Sequence, residues 1–141
     1  MSWLLDTCVV SELVKPLPHN GVVSWMRDCD EAHVFLSVIT LGELEKGIAR
    51  VGDAARRAKL QKWVRRDVAE RFQGRILAID TAVATRWGAL VGESESRGLS
   101  LPVIDSLIAA ASLVHELTVV TRNVDDFTRC GARCLNPWER P

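Results

Sequence analysis

A chain of 141 residues with 18 basic and 18 acidic side chains has no formal net charge, so the molecule as a whole is not a polycation built to coat nucleic acid. Its length fits a single domain (1–141) able to bury about two-thirds of its unfolded surface, and its hydrophobic content is that of an ordinary globule. No apolar run approaches the ~20 residues that span a bilayer, and no basic-then-apolar leader opens the sequence, so no membrane association is expected and cytoplasmic residence is the default.

The first element is the short apolar run 3–5, which reads as a strand buried on both faces and stops at a carboxylate, Asp6. That is where α/β sheets hold ligands, although Asp is equally a common helix cap. A helix over about 7–15 follows and ends before Pro16 and Pro18. Asn20 is the expected cap of a second helix, with Val22, Val23 and Met26 inward. Residues 33–37 form a second strand. From Val38 a helix carries Leu41, Leu44 and Ile48 at helical spacing and ends near Gly52.

Asp53 caps a long helix to about Phe72, with Leu60, Val64, Val68 and Phe72 four residues apart, and Gly74 terminates it. Residues 75–79 are a third strand, and Asp80 reads as the cap of a helix over 81–97. Pro102 at a first helical position opens a helix over 102–116 that is apolar almost all round and therefore belongs in the core. Residues 117–121 are a fourth strand, followed by a short helix near 125–129, a last strand near 133–135 and a turn at Asn136-Pro137-Trp138. Strands alternating with helices throughout predict an α/β sandwich on a parallel sheet.

The charge balance is local. Between Asp53 and Arg75 stand Arg56, Arg57, Lys59, Lys62, Arg65, Arg66, Arg71 and Arg75 against Asp53, Asp67 and Glu70. This basic stretch is either a solvated helical face or a surface that attracts a polyanion. Cys8, Cys29, Cys130 and Cys134 lack the spacing and the neighbouring His of a zinc module, so reduced, buried thiols are expected.

Acidic and amide positions stand out by context. Asp6 ends the first strand, Glu43 lies early in the helix after the second, Asp105 opens the most apolar helix, and Asn123 with Asp125 and Asp126 follows the fourth strand. Strand ends and the starts of the following helices share one edge of a parallel sheet, so these positions can converge. Two of them have local alternatives: Thr40-Leu41-Gly42-Glu43 is a capping-box pattern, and Asp105 in a first turn complements the helix dipole. Clustered oxygens without a His or Cys set suit Mg²⁺ or Mn²⁺ and, through them, phosphoryl chemistry.

Four segments in order, Leu4-Leu5-Asp6-Thr7-Cys8-Val9-Val10-Ser11-Glu12, Leu36-Ser37-Val38-Ile39-Thr40-Leu41-Gly42-Glu43-Leu44, Asp105-Ser106-Leu107-Ile108-Ala109-Ala110 and Val120-Thr121-Arg122-Asn123, resemble the PIN-domain family. More narrowly they resemble the VapC/FitB-type toxins of bacterial toxin–antitoxin modules, and the terminal Asn136-Pro137-Trp138 agrees. The resemblance implies a three-layer α/β/α sandwich around a mainly parallel sheet of four to five strands. It implies a Mg²⁺- or Mn²⁺-dependent endoribonuclease, a homodimer, and a cognate VapB/FitA-like antitoxin through which alone DNA would be met. Asp6, Glu43 and Asp105 map onto the family's metal-binding acids, and Thr7 and Thr121 onto hydroxyls that orient them. At the fourth acidic position this chain has Asn123 where many relatives carry Asp. That leaves Asp126, ahead of Asp125, to supply the missing carboxylate, and leaves one metal or two open. Arg56, Arg57, Arg65 and Arg66 are the candidate RNA contacts.

Two other functions compete. A haloacid-dehalogenase-like phosphatase also starts from an Asp after its first strand, but it needs a second acid two residues later, where this chain has Cys8. A binding module acting mainly through its antitoxin complex is the remaining alternative, and Asn123 speaks for it.

Overall fold

In the computed structural model, which describes residues 1–140, the apolar run at the start of the chain becomes the middle strand of the sheet. β1 (Trp3–Leu5) pairs with β2 (Val34–Ser37) on one side and with β4 (Thr118–Val120) on the other. β3 (Ile76–Leu77) and β5 (Cys134–Leu135) complete a five-stranded sheet in the order β3-β2-β1-β4-β5, with every pairing parallel.

Successive residues of a strand point to opposite faces, and here both faces are covered. Leu5, Leu36 and Val120 pack with α1 (Thr7–Leu13), α2 (Asn20–Asp28) and α3 (Val38–Ala49), through Val9, Val22 and Leu44 among others. Leu4 and Val119 face the other way, toward Val83 of α6 (Thr81–Ser96), Ile108 to Ala111 of α7 (Val103–Val114) and Phe127 of α8 (Val124–Thr128). The chain runs outward from β1 through β2 to β3, then returns to start β4 on the opposite side of β1. The carboxyl ends of β1 and β4 therefore flank the point where strand order reverses, the crevice in which open α/β sheets hold ligands.

The basic segment is not one α-helix. Asp53 caps α4 (Ala54–Lys62), a π-helical stretch Trp63–Val68 follows, and α5 (Ala69–Arg71) ends it. Apolar residues four apart drift around an α-helix by about 40° per step. The wider π turn winds that drift back, which keeps Val64, Val68 and Phe72 buried in a single core.

Other boundaries differ for local reasons. His19, not Asn20, caps α2, its Nδ1 accepting the Gly21 N–H. A 3-10 turn over Glu31–His33, capped by Asp30, takes the first residue expected in β2. The third strand is shorter than expected, Ile76–Leu77, and just before it the Arg75 side chain donates to the carbonyls of Glu31 and Val34 as a brace. Pro102 stands just outside α7 in extended conformation, and the first turn of that helix is open, with Val103 60% and Ile104 39% exposed. The core expectation for this helix holds only from Ser106 onward.

Candidate active site

Asp6 is delivered by β1 to the crevice, its own N–H donating to the Val120 carbonyl at 2.9 Å, and only 4% of the residue is exposed. Capping and site-building turn out to be one role. Oδ1 accepts the Thr7 N–H at 2.8 Å, as a cap does, while Oδ2 accepts the Thr121 hydroxyl at 2.8 Å across the reversal point. The Cys8 thiol adds a weaker donor to Oδ2 at 3.4 Å. Thr121 is itself fixed, since its oxygen accepts the Asn123 N–H at 2.9 Å and its N–H donates to Leu135. An ionised carboxylate has about four acceptor positions, so these bonds orient Asp6 without exhausting it.

Glu43 reaches the same place from α3. That helix starts at Val38 under a Ser37 cap, which puts Thr40 inside the helix and removes the capping-box alternative. Instead Glu43 Oε1 accepts the Thr7 hydroxyl at 2.5 Å, and buried Thr40 stands 3.2 Å from that hydroxyl. Thr7 thus bonds both acids, one through its backbone and one through its side chain.

Asp105, half-buried in the first turn of α7, has its carboxyl pushed up to about 6. Burial is the largest cause, followed by the negative charges of Asp6, Asp126 and Glu43, with Arg129 opposing them. A helix N-terminus alone would favour the ionised form. Here desolvation and like charge overrule it, as expected when carboxylates from several elements share one crevice.

Asp126 on α8 is half-buried, paired with Arg129, and within the field of Asp105, whereas Asp125 is exposed. Asn123 is exposed and makes no side-chain cap bond. Asn123 and Asp126 line a cavity of about 640 Å³ together with Arg122, Cys134 and Asn136. Among the described residues no three His, Cys, Asp or Glu side chains are already drawn together tightly enough to enclose a cation. The acids face one another at the range of mutual repulsion. Their donor atoms are carboxylate oxygens, the chemistry of a hard divalent cation, and such a charge would relieve the like-charge repulsion around Asp105.

The basic residues split. Arg65 forks onto Glu45 at 2.8 and 3.2 Å, Arg66 stands 3.8 Å from Glu70, and Arg57 donates to the Val51 carbonyl beyond the end of α3. Arg56 instead lines a groove with Val14, Leu60 and Trp63 that runs to Glu43, and the wider part of that groove adds Lys59, Lys62 and Arg66. Sequence reasoning passed over Cys8 and Thr40. The signal was present at Cys8, two residues after a strand-end Asp at a helix start, where the side chain turns back on the cap.

A sequence profile described as PIN domain matches residues 3–132. The chain belongs to the PIN-domain family. This PIN domain is 33% identical over 135 residues to Toxin FitB of Neisseria gonorrhoeae, covering 96% of this chain and 97% of FitB. It is 32% identical over 136 residues to VapC ribonuclease Y4jK of Sinorhizobium fredii, covering 96% of this chain and 97% of that protein. The crystal structure of FitAcB from Neisseria gonorrhoeae superposes with a TM-score of 0.90 at 33% identity, over 97% of this chain and 99% of that one. The structure of FitAB bound to an IR36 DNA fragment gives 0.89 at 31% identity, over 99% and 97%. The family read from four short segments and the α/β/α sandwich are both borne out.

Proposed function

We propose that this PIN domain is a metal-dependent endoribonuclease, the toxin of a type II toxin–antitoxin pair. The observation that carries the reading is that Thr7 bonds both Asp6 and Glu43, with Asp105 and Asp126 near enough to act on the same crevice, so that four acids from different parts of the chain share it. Asp6, Glu43 and Asp105 would hold Mg²⁺ or Mn²⁺, with Asp126 completing the acidic set in place of the uncharged Asn123. When bound, the ion supplies Lewis-acid charge at the scissile phosphate and activates water. Thr121 and Cys8 hold Asp6 Oδ2 in place, and Thr7 holds Glu43 Oε1. Glu43 keeps its second oxygen outside that bond, available to orient an attacking water and take its proton. In-line displacement of the 3′ oxygen then leaves a 5′-phosphate and a 3′-hydroxyl.

Relatives named Toxin FitB and VapC ribonuclease support this reading. The likeness to FitAB bound to DNA supports a VapB/FitA-like antitoxin for this chain, through which alone it would meet DNA; that the chain works as a homodimer is part of the same proposal. No helix among the described residues is long and apolar enough to cross a membrane. The groove beside Glu43, with Arg56 and Lys59 on its wall, is the approach for the RNA strand.

The test is purified chain with labelled RNA and Mn²⁺, with and without EDTA, followed by end mapping of the fragments. Cleavage that EDTA stops and that leaves 5′-phosphate ends supports the reading. Absent cleavage at every metal tried, with antitoxin binding intact, moves the assignment to a binding module.

A further inference from the structure

The residue after Thr121 is Arg122, exposed but not loose, and its setting differs from that of Arg129. Arg129, whose charge reaches Asp105, is committed to Asp126. Arg122 enters no ion pair among the described residues. Its Cζ lies over the Trp138 ring, 5.1 Å from the centroid. Its charge reaches Glu12, whose own ion-pair partner is Lys15, and a guanidinium over an indole can still turn N–H groups to the paired oxygens of a phosphate. It also stands on the wall of the 640 Å³ cavity that Asn123 and Asp126 line.

Trp138 is not a casual neighbour, because the end of the chain is built to hold it. The Asn136 side chain accepts the Trp138 N–H at 3.0 Å, Pro137 is buried, and Arg140 pairs with Asp28 of α2 at 2.7 Å. At Gly21 of α2 a Cβ would lie 2.3 Å from the Pro137 carbonyl oxygen and 2.7 Å from that of Arg140, so only glycine lets the two segments meet.

Resting on the ribonuclease reading, we propose that Arg122, mounted on Trp138, binds a backbone phosphate of the RNA strand beside the scissile bond, with Trp138 as its positioning residue. An anionic strand entering a crevice of carboxylates needs a cation that those carboxylates have not already taken. Arg122 is that cation on the Asp126 side, as Arg56 is on the Glu43 side.

The experiment measures anisotropy of a fluorescein-labelled single-stranded RNA 12-mer titrated with full-length chain. Asp6→Asn is the parent, so that turnover does not intrude, and the series runs over several salt concentrations. Arg122→Gln is expected to weaken binding roughly tenfold and to reduce the slope of log affinity against log salt by about 0.7, one phosphate's worth on a single strand. Arg122→Lys should recover the slope and only part of the affinity. Trp138→Leu should weaken binding in the same direction while Trp138→Phe restores it, a rescue that a packing defect at the chain end would not reproduce with the salt slope. In the Asp6 background, affinity and slope unchanged by Arg122→Gln overturn the clamp, as does loss of both in Trp138→Phe. Cleavage by the otherwise unaltered chain is scored separately: if it cleaves while Arg122→Gln binds normally, the clamp falls and the ribonuclease reading stands. If it neither binds nor cleaves RNA, both fall.

Discussion

Asp6 and Asp80 follow the same local rule and end in different chemistry. Each comes after a strand, each caps the next helix with Oδ1, and each precedes a threonine. Asp80 lies beyond the outermost strand β3, is exposed, and its side chain accepts the Val83 N–H at 3.0 Å and no other hydrogen bond among the described residues. Asp6 lies beyond the central strand, is buried, has Thr121 and Cys8 at its second oxygen, and is near enough to act on Asp105. A strand-end carboxylate becomes a functional group when sheet order places another strand end opposite it. The cap alone does not decide.

The comparison can be broken most sharply by neutralising each acid. Asp6→Asn should lower RNA cleavage by about a thousandfold or more, since it removes a group that acts as part of a unit. An Asp6→Asn protein with unreduced turnover ends the mechanism. Asp105→Asn should lose cleavage as deeply and should also separate charge repulsion from fold. Its carboxyl is pushed up to about 6, so the protonated form is favoured by folding. Ionisation therefore costs stability progressively as pH rises from about 4 through about 6. In EDTA, Asp105→Asn should melt above the parent at pH 7.5 and alongside it at pH 4. Equal melting temperatures at both pH values would remove the repulsion from the account.

Smaller effects test the orienting groups. Thr121→Val takes the hydroxyl from Asp6 Oδ2 and the acceptor from the Asn123 N–H, and it should cost ~1–3 kcal/mol in denaturant unfolding. Cleavage should fall some 10- to 100-fold, as when other outer partners of ligating carboxylates are lost. Asp80→Ala is the matching control: about 1 kcal/mol of stability from a lost cap, with kcat unchanged. Least of all, Arg65→Ala should leave both the melting temperature and RNA affinity where they were, because its exposed fork is spent on Glu45. Arg56→Ala should weaken RNA binding in the same assay.

What could be read from the sequence divides along the range of the forces. Caps and punctuation act within a few residues, and the Asp53 and Asp80 caps and the stop at Asp6 were legible. The π-helical stretch was not, because a four-residue apolar spacing reads as an α-helix until packing demands a wider turn. The open first turn of α7 was hidden by its apolar residues, since composition does not say which side of a helix is covered. The Thr7–Glu43 and Thr121–Asp6 bonds join residues 36 and 115 positions apart. The sheet-edge rule and the family resemblance brought those residues to one place, and only the fold supplied the hydroxyls' partners.

Strand order also sets a schedule. β1 is the first of the five strands to be synthesised, yet one of its two flanking strands, β4, is made only as the chain passes Val120. A ribosome that halts earlier holds Asp6 without the hydroxyl that aims it and with one edge of β1 unpaired. A message broken before that point therefore yields a chain whose sheet cannot hold Asp6 in place, because the pairing that aims it joins residues far apart in sequence.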